Sequence, residues 1–291
     1  MNGILLIDKP QGWTSMDVCA KLRGALREKR VGHSGTLDPM ATGLLVVFLG
    51  RATRAATFAE ADEKTYEARL RLGIATDTQD VTGTVLSESQ ACVSDEALEA
   101  ALAQFRGEIR QVPPMYSAIR INGKRLYDLA RKGKEVARPP RQITIYSLEQ
   151  TGRAADGDVL LTVRCSKGTY IRTLCSDIGA YLGCGGAMSA LRRTRAGVFD
   201  LSMAHTLDEV LAAAENGTAA ALLLPVETLF SEYAAVMLTP AQEKAVRNGA
   251  AFRCGAGDCA RLRLYGACGE FLALGEVRDG TLRPIKSFYE V

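Results

Sequence analysis

The clearest pattern of hydrophobic and polar positions runs from Thr65 to Leu72. Its apolar members, which share one face of an extended chain, are Tyr66, Ala68, Leu70 and Leu72. Its charged members, on the other face, are Glu67, Arg69 and Arg71. Because side chains alternate between the two faces of a strand, this period of two predicts a half-buried β-strand.

Other apolar runs predict further strands and leave one ambiguity. The runs at residues 3–8, 143–148 and 159–165 are short and flanked by turn or polar residues, which is typical of strands. The unbroken run at residues 44–49 fits a buried strand or a short helix, because periodicity does not separate the two for so short a segment.

Three helices are predicted from capping residues that precede apolar positions at helical spacing. Ser15, Ser94 and Thr206 each begin such a segment, and a side-chain oxygen at this position accepts a hydrogen bond from the first turn. A fourth apolar stripe starts at Ile171 and ends at Gly183. Residues 31–43 are polar and glycine-rich, which predicts a loop.

From about residue 233 the pattern changes to short strand-like runs separated by glycines. These runs cover residues 261–265, 271–274 and 282–285. With the strands and helices that precede them, they predict an α+β protein of two domains, 1–232 and 233–291. The second domain is predicted to be small and β-rich.

Length and composition agree with two globular domains. The chain has 291 residues, of which 47% are hydrophobic and 24% charged, and these values exclude a disordered or collagen-like chain. The longest apolar run of the first half has six residues, whereas a membrane-spanning helix needs about 20. The N-terminus lacks the basic and long apolar regions of a signal peptide, so we expect a cytoplasmic protein without membrane attachment.

The net charge is small but unevenly distributed. The formal net charge is +3, while residues 120–141 alone contain eight basic and two acidic side chains. Residues 113–141 also contain two Pro-Pro pairs and two glycines, which predicts a projecting excursion with a hairpin and a short helix. Basic clusters in a nearly neutral chain favour a nucleic-acid partner, and ordinary solvated faces are the alternative.

Cysteine and histidine spacing favours neither disulfides nor a metal site. Eight cysteines are scattered without a Cys-x-x-Cys pair, and only two histidines occur. The spacing of Cys254, Cys259 and Cys268 matches no common zinc motif. The sequence also lacks phosphate-binding glycine loops, dinucleotide fingerprints and common hydrolase motifs. We therefore predict reduced thiols, no metal and no cofactor.

One polar loop is the strongest candidate for catalysis. Residues 32–43 place a single carboxylate, Asp38, between glycines and next to a buried run, and such loops display functional groups. The alternative is a structural turn in which Asp38 bonds to the nearby backbone and Pro39 forms the corner. Weaker candidates, each of which also fits an ordinary packing or turn role, are Tyr66, Tyr170 and Lys9-Pro10.

Six sequence blocks together resemble a known family. They are KPQGWTS at 9–15, GHSGTLDPMATGLL at 32–45, KTYEARLRLG at 64–73, PPMYSAIRINGKRLYDLARKG at 113–133, CSKGTYIRTLCSDIG at 165–179 and LGCGGAMSALRRTRAG at 182–197. In this order they resemble the TruB family of bacterial tRNA pseudouridine synthases over residues 3–200. The resemblance implies a pseudouridine-synthase fold, with a mixed, mostly antiparallel sheet and flanking helices. Residues 233–291 are similar only in general character to a PUA-like RNA-binding domain.

The resemblance also implies an activity, the isomerisation of uridine to pseudouridine at position 55 in the T loop of tRNA. The enzyme would be a monomer that needs no cofactor, metal or protein partner. Asp38 would be the nucleophile or base, Arg172 its ion-pair partner, Tyr66 the ring that stacks on the target base and Tyr170 a second active-site tyrosine. Residues implied in substrate binding or in support of the catalytic loop are His33, Lys9, Pro10 and, in a thumb-like insertion at 113–141, Lys124, Arg125, Arg131 and Lys132.

Three other functions stay open. The chain fits a synthase that works inside a guide-RNA particle, as dyskerin-type enzymes do, although its compact length without basic tails favours a stand-alone enzyme. It also fits a tRNA-folding chaperone without catalysis, or a general basic RNA-binding module. The joint presence of Asp38, Tyr66 and Arg172 favours catalysis.

Overall fold

The structure, a computed structural model, describes residues 1–59, 63–117, 119–121 and 123–289. For residues 120, 121, 124 and 125 it describes the backbone alone. Across this described part of the chain, no helix is both long and apolar enough to cross a membrane.

Strands make up much of the described chain. Those before residue 210 are β1 (Gly3–Lys9), β2 (Val31–Ser34), β3 (Thr42–Leu49), β4 (Lys64–Leu72), β5 (Ile74–Thr76), β6 (Val85–Glu88), β7 (Gly107–Gln111), β8 (Arg120–Ile121), β9 (Lys124–Arg125), β10 (Arg141–Arg153), β11 (Val159–Cys165), β12 (Gly186–Ala196), β13 (Phe199–Asp200) and β14 (His205–Thr206). Those near the C-terminus are β15 (Ala235–Met237), β16 (Phe252–Arg253), β17 (Cys259–Tyr265), β18 (Phe271–Arg278) and β19 (Thr281–Ser287).

Helices connect many of these strands. They are α1 (Ser15–Ala25), α2 (Ala56–Ala59), α3 (Asp95–Gln104), α4 (Leu126–Ala130), α5 (Ile171–Tyr181), α6 (Leu207–Glu215) and α7 (Pro240–Arg247). Short 3₁₀ turns cover Gly50–Ala55, Leu201–Met203, Ala219–Leu222 and Val226–Phe230. The predicted caps of α3 and α6 are confirmed, since Ser94 and Thr206 accept hydrogen bonds from the backbone of Ala97 and Glu209.

One mixed sheet organises the first two thirds of the chain. Its strand order is β14-β1-β3-β12-β4-β11-β10-β7, with β2 paired to β3 and β13 to β12. The pairs β1–β14 and β3–β12 are parallel, and the other pairs described for this sheet are antiparallel. Helices α1, α3, α5 and α6 contribute apolar side chains to one core with the sheet. The predicted mixed, mostly antiparallel sheet with flanking helices is confirmed.

The ambiguous run at 44–49 is a strand, and its burial explains the ambiguity. Strand β3 is buried from residue 43 to residue 49. Leu45, Val47 and Leu49 join the core that contains the helices just named, whereas Leu44, Val46 and Phe48 join a second core on the opposite face. Because both faces are covered, the strand shows no alternation of polar and apolar residues.

Two predictions near the N-terminus were wrong by small margins. Thr14, not Ser15, caps α1, because its side chain accepts from the amide of Asp17. In return the amide of Thr14 donates to the carboxylate of Asp17, which completes a capping box. The loop predicted at 31–43 begins with a strand, since residues 31–34 form β2 and pair with the end of β3. The remaining turn, residues 35–41, holds Asp38, the predicted catalytic carboxylate, and is for that reason called the catalytic loop below.

A second sheet near the C-terminus has the order β15-β17-β18-β19-β16. It confirms the predicted β-rich C-terminal region. Phe230, just before this sheet, packs against Phe271 and Phe288 with ring centroids 6.1 and 5.7 Å away. These rings belong to the same core as Leu44 and Phe48 of β3, so aromatic packing joins the two sheets.

The stability of the protein is expected to respond to pH through Asp177 on α5. Burial raises the pKa of Asp177 to about 6 from 3.8, so between these pH values only the unfolded chain releases the proton, and stability falls as pH rises. Asp177→Asn should therefore raise the free energy of unfolding at pH 7.5 by about 1–2 kcal/mol, after allowing for partial solvent access. The gain should be largely lost at pH 4.

Urea unfolding at both pH values measures this effect. A control with the opposite sign is Asp200→Asn, because the amide of Ser202 lowers the pKa of Asp200. Removing that charge should weaken the fold slightly at neutral pH and not at low pH. An Asp177→Asn gain that is equal at pH 4 and pH 7.5 would contradict the assignment.

Candidate active site

The catalytic loop is held by the first turn of the chain. The amide of Gly12 donates to the carbonyl of Pro39 at 2.8 Å. The buried hydroxyl of Ser15 bonds to both the amide and the carbonyl of Leu37, at 2.9 and 3.1 Å. Ser15, which does not cap α1, therefore fixes the residue next to Asp38.

Asp38 forms an ion pair with Arg172 at the start of α5. The guanidinium places Nε 2.9 Å from Oδ2 and Nη2 3.3 Å from Oδ1 of the carboxylate. Arg172 is only 5% exposed, whereas 36% of the Asp38 side chain is exposed. Such a two-point contact fixes the plane of the carboxylate while one side of it faces solvent.

Arg172 is held in turn by three groups from other segments. Its Nη1 donates to the carbonyl of Thr78 at 3.0 Å, and its Nη2 donates to the carbonyl of Tyr116 at 2.7 Å. The carboxylate of Asp80 lies 3.7 Å from Nη1, is buried, and accepts from the side chain of Thr78 and the amide of Thr82 at 2.9 Å each. Asp80 was not predicted from the sequence, because the only local signal for it is a carboxylate among threonines in a short turn.

The surroundings of Asp38 act on its pKa in opposite directions. The carboxyl lies in a recess, so partial burial raises its pKa although a third of the side chain is exposed. The positive charges of Arg172 and Lys9 lower this pKa, and the negative charge of Asp80 raises it. Arg172 therefore favours the ionised carboxylate, which is the form that can attack carbon or remove a proton.

Lys9 lies at the end of β1 and is fully buried. Its ammonium donates to the carbonyls of Pro10 and Trp13 at 2.9 and 2.7 Å. Burial lowers the pKa of Lys9 to about 8, although the charge of Asp38 opposes this. The structure thus places Lys9 and Pro10 under the turn that holds the catalytic loop.

Tyr66 and Arg193 are direct partners across strands β4 and β12. Tyr66 is 7% exposed and Arg193 1% exposed. Burial raises the pKa of Tyr66, and the neighbouring guanidinium opposes this. Arg193 Nε donates to the carbonyl of Leu44 at 2.7 Å, while its two amino groups have no aligned acceptor among the described residues. Arg193 was not predicted, because the sequence does not show which of Arg192, Arg193 and Arg195 is buried.

The two remaining predicted residues near this cluster are Tyr170 and His33. Tyr170 precedes α5 and is half-buried, and burial raises the pKa of its phenol. The charge of Asp38 acts on the pKa of both Tyr66 and Tyr170, so the structure brings these three together. His33 lies on β2, and burial lowers its pKa, with a further contribution from Arg193.

Two of the four predicted basic residues of the insertion lie on the surface. Arg131 and Lys132 are exposed, and the guanidinium of Arg131 lies 5.6 Å from the centre of the Tyr127 ring. The side chains of Lys124 and Arg125 lie outside the described residues. The predicted hairpin and short helix of this segment are confirmed as β8, β9 and α4.

A glycine in the catalytic loop is expected to be sensitive to substitution. Gly35 has φ of +68°, and a Cβ there would lie 3.1 Å from Nη1 of Arg193. Gly35→Ala should therefore lose more stability than the roughly 1–2 kcal/mol that an alanine costs in the left-handed conformation. It should also slow pseudouridine formation, the activity that the resemblance implies, by displacing Asp38. Gly217→Ala is the matched control, because Gly217 has φ of +72° and open space around it.

Urea unfolding and single-turnover rates of both variants test this expectation. Gly217→Ala should show only the backbone cost and a wild-type rate, because its site is far from the loop in the chain and uncrowded. Equal losses of stability in the two variants, with a normal rate for Gly35→Ala, would show that Arg193 does not constrain the loop.

Metal ligands are not grouped in the described part of the chain. No cluster of three or more His, Cys, Asp or Glu side chains within it could hold a metal ion. Cys254 and Cys259 are free and partly exposed, and Cys268 is free and exposed.

Comparison with known proteins identifies the family. Residues 23–171 match the family model described as TruB family pseudouridylate synthase (N terminal domain). Residues 172–231 match the model described as tRNA pseudouridylate synthase B C-terminal domain. The chain belongs to the TruB family.

Curated relatives match the chain over nearly its whole length. A protein of Azoarcus sp. (strain BH72), named tRNA pseudouridine synthase B, is 45% identical over 284 residues, which cover 98% of this chain and 94% of the relative. A protein of Syntrophomonas wolfei subsp. wolfei with the same name is 43% identical over an alignment 297 residues long, gaps included, which covers 99% of this chain and 99% of the relative. These similarities confirm the predicted TruB family.

Solved structures support the same fold. A chain of an H/ACA ribonucleoprotein bound to a substrate RNA containing 2′-deoxyuridine matches with a TM-score of 0.75 and 25% identity, over 99% of this chain and 85% of that chain. A chain of a Cbf5–Nop10–Gar1 complex matches with a TM-score of 0.76 and 27% identity, with the same coverage. The TruB-family chain described here therefore has the predicted pseudouridine-synthase fold.

Proposed function

We propose that this protein isomerises uridine to pseudouridine in tRNA and that its target is position 55 in the T loop. The observation that carries the proposal is the pairing of Asp38 with Arg172 in a recess beside Tyr66. Family membership and the names of the relatives support tRNA pseudouridine synthesis. The position of the target uridine follows from the resemblance of the sequence blocks.

The chemistry requires what this recess contains. Pseudouridine formation breaks the bond between N1 of uracil and C1′ of the ribose, and joins C5 to C1′ after the base has turned. An ionised Asp38 either attacks the sugar or base or removes a sugar proton. Arg172 favours this ionised form against the effect of burial, and it orients the carboxylate. C5 loses a proton and N1 gains one, so the product is an isomer of uridine, and the reaction needs no oxidant, water or second substrate.

The target base must leave its stack in the T loop before it can react. Flipping costs a few kcal/mol, and stacking on an aromatic ring recovers about 1–3 kcal/mol per base. Tyr66 offers such a ring, with Tyr170 near the same carboxylate. Because Tyr66 is 7% exposed in the free protein, the incoming base must displace the side chains that cover the ring.

We assign RNA binding to surfaces outside the recess. The exposed Arg131 and Lys132 make the insertion at 113–141 the proposed thumb over the T stem-loop, with Lys124 and Arg125 in the same role. His33 is assigned to displaced loop nucleotides, and residues 233–291 to a PUA-like RNA-binding domain beside a catalytic domain at 1–232. The protein acts as a monomer in the cytoplasm and needs no protein partner.

One experiment separates the proposal from its alternatives. Purified protein is incubated with an unmodified tRNA transcript without guide RNA, and pseudouridine is mapped. Modification of position 55 alone supports the proposal, whereas modification elsewhere contradicts the assigned position. The guide-RNA alternative, which the named ribonucleoprotein structures keep relevant, predicts no product until guide RNA is added. A chaperone or binding module predicts no product under either condition.

A further inference from the structure

The insertion leaves and rejoins the large sheet at a single pair of residues. Gln111 ends β7 and is the register partner of Arg141, which begins β10. The intervening residues 112–140 therefore start and finish at this pair, which forms the neck of the insertion. Gln111 is 2% exposed, although it stands at the edge strand of the sheet.

The side-chain amide of Gln111 bonds twice to the residue that precedes α5. Its Nε2 donates to the carbonyl of Tyr170 at 3.0 Å, and its Oε1 accepts from the amide of Tyr170 at 2.8 Å. Tyr170 is the N-cap of α5 and makes no capping bond with its own side chain. Two bonds from one planar amide fix both the position and the orientation of the backbone at this point.

A residue of the insertion itself, Tyr116, contacts the guanidinium of Arg172. Arg172 follows Tyr170 by two residues, and its Nη2 donates to the carbonyl of Tyr116 at 2.7 Å. The same guanidinium contacts Asp38 through Nε at 2.9 Å. Gln111 thus holds the backbone that carries Arg172, and Tyr116 holds its guanidinium.

We infer that Gln111 is a positioning residue, which sets Arg172 against Asp38 through Tyr170 and ties the neck of the insertion to the reacting site. The inference rests on the proposed function. Both hydrogen bonds of the Gln111 amide go to the backbone of Tyr170, so Gln111 acts through Tyr170. A displacement of about 1 Å in a catalytic pair can cost about 100-fold in rate, so this clamp has a measurable consequence.

The test is Gln111→Met, which keeps the length of the side chain and removes both hydrogen bonds. At saturating tRNA transcript the single-turnover rate should fall about 10- to 100-fold. The dissociation constant of the transcript should change less than about twofold, because phosphate contacts made elsewhere dominate affinity. Gln111→Asn, which keeps the donor and the acceptor on a shorter side chain without adding a charge, should fall between Gln111→Met and wild type.

The pH profile separates positioning from a general structural role. Asp38 faces the charged groups Arg172, Asp80 and Lys9, and Arg172 is the stronger of the two cations that lower its pKa. If the Arg172 guanidinium retreats, the pKa of Asp38 rises, so the acid limb of the rate profile should move to higher pH. A lower content of folded protein would reduce the rate at every pH and leave the limb in place.

Gln142→Met is the matched control on the neighbouring strand. The amide of Gln142 donates to Glu108 at 2.9 Å at an exposed position, so its loss should leave rate and pH profile unchanged. If Gln111→Met does not fold, Gln111→Asn carries the test. A folded Gln111 variant with the wild-type rate, or a slow variant with an unmoved acid limb, overturns the inference. Failure of the wild-type protein to modify tRNA would instead overturn the proposed function.

Discussion

Asp38→Asn is expected to abolish pseudouridine formation while the protein still binds tRNA. The substitution keeps the shape of the side chain but removes the charge that attacks carbon or accepts a proton. Loss of one member of a catalytic unit costs on the order of 10⁴–10⁶ in rate. Arg172 keeps its contacts with Thr78, Tyr116 and Asp80, so the site should stay folded.

Single-turnover mixing with an unmodified transcript, together with a binding titration, measures both parts of this prediction. Binding should stay within about a few-fold of wild type, because phosphate contacts dominate affinity. Asp156→Asn is the matched control, since Asp156 also pairs with an arginine, Arg71, at 3.1 Å but is exposed. It should react at the wild-type rate. Substantial turnover by Asp38→Asn would remove Asp38 from the centre of the mechanism.

Replacing Lys124, Arg125, Arg131 and Lys132 together by Gln is expected to weaken tRNA binding most at low salt. Residues 120–141 carry a net charge of +6, while the rest of the chain sums to −3. If each side chain neutralises one phosphate, the slope of log affinity against log salt should flatten by about 0.7–0.9 per lost contact, about three units in all. The rate at saturating tRNA should fall less than the affinity, because Asp38, Tyr66 and Arg172 are unchanged.

A salt titration of tRNA binding checks this expectation. Arg69→Gln is the control. Arg69 is exposed on β4, and it lies three residues after Tyr66, so its side chain is on the opposite face of the strand from Tyr66. This variant should keep the wild-type slope. An unchanged slope in the quadruple variant would show that these charges do not contact phosphates and belong to an ordinary solvated surface.

Contiguous patterns in the sequence are sufficient to predict many of the elements. The alternation at 65–72 predicts β4, and Ser94 and Thr206 predict the starts of α3 and α6, because each signal depends on residues only a few positions apart. The same holds for the catalytic loop, where Asp38 lies within one unbroken motif. Such signals act through hydrogen bonds and side-chain directions within a few residues, so they do not depend on which distant segment packs nearby.

The local signal does not predict the role of a residue or strand whose partners are distant in the sequence. Ser15 has the residue type and position of a helix cap, but its hydroxyl bonds to Leu37, 22 residues away, and Thr14 caps the helix. Strand β3 shows no alternation because each of its faces meets a different core. Both outcomes depend on which distant residues pack against the segment, and the residues of the segment do not specify those partners.

The sequence by itself determined the family, the order of the main elements and the identity of Asp38 as the candidate carboxylate. Only the tertiary structure decided what holds Arg172, the ion-pair partner that the resemblance implies, against that carboxylate. Arg172 contacts Asp38 across 134 residues of sequence, and Thr78 contacts Arg172 across 94. Gln111 and Arg193 enter the site in the same way, through the order and register of the sheet. Hydrogen bonds and ion pairs depend on ångström distances between segments, and those distances are set when the strands pair and the helices pack.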